Sequence, residues 1–104
     1  MFVPYPLRVR HYFFGGKMHM ETRVAVMSII VENGDAVEQI NSYLHDYGDY
    51  IIGRMGIPYK EKKINIISIA IDAPQDTISA LSGKIGKLAG VSVKTAFSSV
   101  ISHE

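Results

Sequence analysis

The run INIISIAID at residues 64–72 constrains the fold more than any other part of the chain. Its β-branched side chains and uncharged interior predict a strand. The run RVAVMSIIV at residues 23–31 has the same character and is followed by the turn sequence Glu32-Asn33-Gly34. A strand of an open sheet normally places polar residues on its solvent side. Neither run offers a charged face, so both predicted strands have two apolar sides.

Two amphipathic helices are predicted beside these strands. Asp35 is the expected N-cap of the first helix, with Glu38 as its capping-box partner, and Gly48 is the expected terminator. Pro74 suits the first turn of the second helix, because its missing N–H needs no partner there, and Gly90 is the expected end. Each helix carries one apolar face at three- and four-residue spacing. These faces consist of Val37, Ile40, Leu44 and Tyr47, and of Ile78, Leu81, Ile85 and Leu88.

The remaining runs complete a βαββαβ order. Residues 50–59 and 91–97 are predicted strands, and the polar segment KEKK at residues 60–63 is a short turn that allows a hairpin. Right-handed crossovers through the two helices then give an α+β, ferredoxin-like sandwich. This fold has a four-stranded antiparallel sheet with both helices on one face. Residues 98–104 form a tail of uncertain order.

Length and composition narrow the class of protein. A chain of 104 residues makes one domain. The absence of cysteine excludes disulfides, zinc–thiolate sites, iron–sulfur ligation and cysteine nucleophiles. No apolar run approaches the roughly 20 residues of a membrane span, and no signal-peptide pattern is present. We therefore expect a cytoplasmic protein that does not enter the membrane.

Residues 1–19, the leader, differ in character from the single domain expected at residues 20–104. Two prolines exclude a helix in this leader, and no strand period is evident, so we expect it to lack regular structure. The alternative is that translation begins at Met18 or Met20. Gly15-Gly16 can be encoded by a purine-rich tract like a ribosome-binding site, and Met20 follows a few codons later.

The leader also decides the sign of the net charge. The whole chain has 11 Lys and Arg against 10 Asp and Glu, a net charge of +1. The leader supplies Arg8, Arg10 and Lys17 but no acid, so the remaining domain is mildly acidic. Nonspecific nucleic-acid binding needs a clustered basic surface, and we therefore expect no direct nucleic-acid partner.

The two-sided apolar strands predict self-association. Burying a large aliphatic side chain is worth roughly 1.5–3 kcal/mol, so an open, helix-free sheet face of this composition is a strong association surface. We expect a homodimer or homotetramer formed through the sheet. The alternative is that the leader or the tail folds over this face. The sequence leaves open which side of each strand this is. One strand offers Val24, Val26, Ser28 and Ile30 or Ala25, Met27, Ile29 and Val31, and the other offers Ile64, Ile66, Ser68 and Ala70 or Ile67, Ile69 and Ile71.

The string GRMGIP at residues 53–58 is the most distinctive in the sequence. Two glycines within a strand mark bulges or close backbone approach, and an arginine between them suits a carboxylate or phosphate. We therefore predict a small-ligand site that includes Gly53, Arg54 and Gly56. In the alternative interpretation the glycines twist an edge strand, Pro58 blocks further pairing, and Arg54 pairs with an acid of a neighbouring subunit.

The turn Asn33-Gly34-Asp35 is a second candidate ligand-binding segment. Backbone N–H groups at a helix start can receive an anion or the carboxylate of an amino acid. The alternative is an ordinary turn and cap. Gly83 and Gly86 lower the helix propensity of the second helix, and we expect them to allow close packing there.

No catalytic or metal-binding constellation is predicted. His45 and Asp49 are about one helical turn apart, but nothing compels a third ligand or acid to join them. No serine has a nucleophile-elbow setting. We therefore expect no enzyme activity, no metal and no cofactor.

Three strings point to a known family: SIIVE at residues 28–32, YIIGRMGIPY at residues 50–59 and GVSVK at residues 90–94. Over residues 23–96 the chain resembles a small bacterial family of regulators of the iron-only hydrogenase system. The resemblance implies an ACT-like ferredoxin fold, similar to amino-acid-sensing domains and to the ligand-binding half of nickel-responsive repressors. Such domains assemble through sheets and helices and bind effectors near subunit interfaces. The repressors' nickel site uses histidines and a cysteine, which residues 53–72 lack, so we expect no nickel there.

The sequence leaves two functions open. The first is a regulatory, oligomerising domain that senses a small anionic metabolite through Arg54 and residues 33–35 at a subunit interface. Such a domain would affect transcription only through a partner protein, since the leader is too short for a helix-turn-helix. The second is a structural protein-interaction module without a ligand, such as a scaffold or maturation factor of the hydrogenase system.

Overall fold

The computed structural model describes residues 11–14 and 17–102, with side chains over residues 21–100. Short 3-10 turns lie at Gly34–Ala36, Gly48–Tyr50 and Lys60–Lys62. From Thr22 onward the order of strands and helices is the predicted βαββαβ. The strands are β1 (His11–Phe14), β2 (Lys17–Met20), β3 (Thr22–Val31), β4 (Ile51–Tyr59), β5 (Ile64–Ala73) and β6 (Val91–Ser102), and the α-helices are α1 (Val37–Asp46) and α2 (Gln75–Gly86).

Strands β3 to β6 form one antiparallel sheet in the order β4-β5-β3-β6. The central strands β3 and β5 pair in a register that places Met27 opposite Ile69 and Ser28 opposite Ser68. Helix α1 connects β3 to β4, and α2 connects β5 to β6. Both helices pack on the same face of the sheet. This arrangement is the predicted ferredoxin-like fold.

The core lies between the two helices and one face of the sheet. Alternate residues of β3 and β5 are buried against the apolar stripes of α1 and α2. Each large side chain in this layer contributes roughly 1.5–3 kcal/mol of burial energy. Within the described residues, no helix combines the length and the apolar character that crossing a bilayer requires. The fully buried large side chains are Met27, Ile29, Val31, Ile69 and Ile71 from the strands, and Ile40, Ile78, Leu81 and Ile85 from the helices.

The helix boundaries differ from the prediction at one end of each helix. Asn33, rather than Asp35, caps the first helical segment, since its Oδ1 accepts the Asp35 N–H at 3.1 Å. A 3-10 turn then precedes α1, and the predicted capping box with Glu38 is wrong. Helix α2 ends at Gly86, before the predicted terminator. Gly90 instead adopts a φ of 75° in the loop that leads into β6.

More of the chain forms strands than the sequence predicts. Strand β6 continues to Ser102, which pairs with Thr22, so residues 98–102 of the tail lengthen the sheet and do not fold over its helix-free face. In the leader, β1 and β2 form an antiparallel hairpin with His11 opposite Met20, so the expectation of no regular structure is wrong there. Four-residue strands are too short for their period to be evident in the sequence. Residues 1–10 lie outside the described residues, and the later translation start stays a prediction.

Two hydrogen bonds connect the turn after β3 to the loop before β6. The Glu32 N–H donates to the carbonyl oxygen of Gly90 at 2.7 Å, and Asn33 Nδ2 donates to that of Ala89 at 3.3 Å. A Cβ at Gly90 would lie 2.7 Å from the Cβ of Asn33. Glycine is therefore required at this position both for its positive φ and for the close approach.

The helical glycines have no such role. No atom lies within 4 Å of a Cβ built at Gly83 or Gly86. The expectation that they allow close packing of α2 is therefore wrong. The helices instead meet through Lys84 of α2, whose Nζ lies 5.7 Å and 5.2 Å from the ring centroids of Tyr43 and Tyr47. These distances are those of cation–π contacts, which join α2 to α1.

Substitution of Gly90 tests the requirement for glycine in the loop before β6. Gly90→Ala is expected to lower the free energy of unfolding by about 1–3 kcal/mol, because alanine is strained at positive φ and its Cβ meets Asn33. Gly83→Ala is the matched control, and it should raise that free energy by up to about 1 kcal/mol through better helix propensity. Urea unfolding followed by circular dichroism measures both values. Equal stability of the two variants would contradict the role of Gly90.

Candidate functional site

The helix-free face of the sheet is apolar and exposed. Val26 and Ile30 lie on it because their neighbours along β3 are buried beneath the helices. Their side chains are 43% and 44% exposed in the single chain. The described part of the chain therefore leaves the predicted association surface uncovered. Its exposed aliphatic side chains are Val24, Val26, Ile30, Met55, Ile57 and Ile66.

Arg54 lies on the edge strand β4, on the helix side of the sheet, since it is paired with the buried Ile69. Its Nη2 donates a hydrogen bond to Oδ1 of Asn41 on α1, and both side chains are exposed. Asn41 is neutral, so it orients the guanidinium without balancing its charge. The other N–H donors of Arg54 face solvent and can receive a carboxylate or phosphate.

The two glycines beside Arg54 differ from each other in their backbone setting. The β4–β5 register shifts between Ile51 and Gly53, which is the predicted bulge. Gly56 lies in regular register opposite Ile67. No atom lies within 4 Å of a Cβ built at either glycine. Gly56 thus leaves open space on the face that carries Arg54, whereas the space at Gly53, opposite Ala70, is on the helix-free face, and neither glycine marks a close backbone approach.

The turn at residues 33–35 satisfies many of its own polar groups. Asn33 accepts the Asp35 N–H with its side chain and the Ala36 N–H with its carbonyl oxygen, the latter at 3.0 Å. Its Nδ2 binds the loop before β6. An anion would have to displace these bonds to reach the same N–H groups. Gly34 is exposed and has no side chain to offer. The observed contacts match the turn-and-cap interpretation.

A single chain keeps Arg54 and Asn33 apart. Arg54 is opposite Ile69, which is opposite Met27, whereas Asn33 follows the end of β3 at Val31. At least four residues of β3 and two strand spacings separate the two positions, at least about 13 Å along the strands and about 10 Å across them. The single chain therefore does not bring the two segments together around one small ligand.

The other candidate residues remain dispersed. His45 is exposed in the last turn of α1. Within residues 21–100, no three His, Asp or Glu side chains come together as metal ligands. The contact that sequence reasoning missed is Asn41 with Arg54. These residues are 13 positions apart on different elements, and no periodicity relates a helix residue to its partner on a neighbouring strand.

A solved structure shares the fold of the chain but little of its sequence. It is a formyltetrahydrofolate deformylase from Pseudomonas putida KT2440, with 10% identity and a TM-score of 0.54. The match covers 70% of this chain and 28% of the deformylase. Similarity at this level shows the fold alone. No curated protein matches the chain.

A second solved structure is much more similar in sequence. It is the uncharacterized protein TM1266 from Thermotoga maritima, with 38% identity, a TM-score of 0.70 and coverage of 73% of this chain and 96% of that chain. The family described as "TM1266-like: Iron-only hydrogenase system regulator, putative" matches residues 23–95. That range contains the three strings on which the sequence resemblance depends. The chain therefore belongs to the TM1266-like family of iron-only hydrogenase system regulators.

Proposed function

We propose that this protein is a non-catalytic regulator in an iron-only hydrogenase system, and that it works as a homo-oligomer that binds a small anionic metabolite. The observation that carries the proposal is the exposed helix-free face. Val26, Ile30 and Ile66 lie there in contact with water. Water contact with a contiguous apolar patch favours association. The family description supports the regulatory role.

The exposed face is suited to sheet-on-sheet packing. Two antiparallel sheets pack about 10 Å apart with interdigitated side chains. A side chain such as Val26, 43% exposed in one chain, gains roughly 1 kcal/mol when a second sheet covers it. Every aliphatic residue of the face contributes once from each copy. Burial of apolar surface therefore stabilises the proposed oligomer, as it stabilises the core, and association through this face requires no change of fold.

Arg54 is the proposed primary contact for the anion. It is an exposed cation whose hydrogen-bonding partner, Asn41, is neutral. Gly56, two residues along β4 on the same face as Arg54, leaves space there for a small ligand. The ligand class is a small carboxylate or phosphate, since these groups match the planar donors of a guanidinium. Residues 33–35 would join the site from a neighbouring copy, which places it at a subunit interface.

Self-association is tested by placing a charge in the middle of the helix-free face. Val26→Arg is expected to convert the oligomer to a monomer at micromolar concentration, because an unpaired charge would be buried between the sheets. Ser79→Arg, on the exposed side of α2, is the matched control and should leave the oligomer intact. Size-exclusion chromatography with light scattering measures the mass. A monomeric wild-type protein at this concentration would contradict the proposed self-association.

Anion binding is tested by thermal unfolding with inorganic phosphate, dicarboxylates, nucleotides and amino acids. A ligand at a hundred times its Kd adds about 2.7 kcal/mol of stability. Arg54→Ala should abolish the shift and keep the oligomer, whereas Lys62→Ala, which removes the same charge from an exposed turn, should keep both. If no compound shifts the melt, the ligand-free interaction module is the better description. If Arg54→Ala dissociates the protein, Arg54 belongs to an interface.

A further inference from the structure

We infer that two copies of this chain join through a reciprocal ion pair on the helix-free face, with Lys94 of each copy meeting Asp72 of the other. The inference rests on the self-association proposed above and specifies its geometry. Lys94 lies on this face because it is opposite Ser28 of β3. Asp72 lies on the same face because it is opposite Val24. Among the described residues of β3 to β6, these two are the charged side chains that the strands place there.

The two charges cannot pair within one chain. Their partners on β3, Ser28 and Val24, are four residues apart, and Lys94 and Asp72 lie on the strands at either side of β3. Their Cα atoms are therefore about 16 Å apart, too far for the side chains to meet. Among the side chains at residues 21–100, the strands place no other charge on this face that could pair with either group. Both would become unpaired charges if an apolar surface without charges covered the face.

One carboxylate oxygen of Asp72 also lacks a hydrogen-bond donor among the described residues. Its Oδ1 is shielded from solvent and accepts no hydrogen bond from the residues whose side chains the structure describes. A carboxylate oxygen in that state is costly unless a donor reaches it. Lys94 is exposed and carries three N–H donors. Because the chain itself shields this oxygen, the Asp72 carboxylate rotates toward the open face to meet the Lys94 ammonium of the second copy.

The positions of the two charges satisfy two-fold symmetry. Val26 lies on β3 midway between Ser28 and Val24, and thus midway between Lys94 and Asp72. A two-fold axis in the plane of the interface through Val26 exchanges the two charged positions, so a single arrangement forms both ion pairs. The strands of the two sheets then cross steeply, close to the orthogonal class of sheet packing.

The centre of this arrangement has small side chains. Ala70 on β5 and Ala96 on β6 are the residues opposite Val26 on either side. Their short side chains allow the two sheets to approach at the axis, where Val26 of one copy packs on Val26 of the other. Apolar burial has no preferred direction, whereas like charges in contact are unfavourable. The ion pairs therefore select this orientation among the many that would bury the face.

A charge-exchange experiment tests the pair. Lys94→Glu and Asp72→Lys each place two like-charged contacts in a homodimer, so each variant should dimerise at least roughly tenfold more weakly than the wild type. The double variant restores opposite charges and should return to within about threefold of the wild-type Kd. An equimolar mixture of the two single variants should form a heterodimer, because each of its contacts joins opposite charges. Analytical ultracentrifugation measures all four at one protein concentration.

Glu32→Lys is the matched control for the acidic partner, since Glu32 is an exposed acid directly after β3. Mixed with Lys94→Glu, it should associate no more tightly than the wild type does with Lys94→Glu, because both keep one like-charged contact. Tighter association with Glu32→Lys would overturn the assignment to Asp72. If Asp72→Lys does not fold, Asp72→Asn is combined with Lys94→Glu. This double variant should recover part of the dimer affinity that Lys94→Glu loses, because asparagine does not repel the new glutamate. No recovery would overturn the ion pair. A wild-type dimer that is insensitive to Lys94→Glu also overturns it while leaving self-association in place. A monomeric wild type overturns both.

Discussion

The alternation of side chains along β3 and β5 determines what the fold buries and what it leaves exposed. Met27 and Ile69 face the helices and are fully buried, whereas Val26 and Ile30 face away and remain exposed although they are equally apolar. In most open sheets the buried side is apolar and the exposed side is polar, so a shift of one residue in strand pairing would expose the core. In this sheet both sides are largely apolar. The pairing register of β3 and β5 therefore depends on the size and spacing of the apolar side chains of α1 and α2 that pack on one side.

The order of elements was predictable because each strand and helix has a local pattern. Residues 64–72 are rich in β-branched side chains, which favour strands, and Ile40 and Leu44 repeat at helical spacing. The errors arose where a partner distant in sequence decides the structure. Strand β6 continues to Ser102 because Thr22 is there to pair with it, and the capping residue of the first helical segment is the one that also bonds to Ala89.

The candidate site was predictable in its residues but not in its contacts. The charge of Arg54 and the bulge at Gly53 follow from the sequence, since glycine within a strand signals irregular pairing. That Arg54 meets Asn41 depends on how α1 lies across the sheet edge, which packing in three dimensions decides. The same limit applies to residues 33–35. Their composition suits an anion, but the N–H groups of Asp35 and of the following Ala36 already bond to Asn33, and only the folded loop reveals this.

The link between Glu32 and Gly90 has a consequence for how the domain opens. Through it, the turn before α1 and the loop before β6 are hydrogen-bonded to each other, although the two segments are far apart in the chain. The Glu32 amide proton exchanges with water only when this hydrogen bond breaks, which requires the turn and the loop to separate. Hydrogen exchange at that amide therefore reports concerted opening of the whole end of the domain, unlike the fraying of a single surface loop.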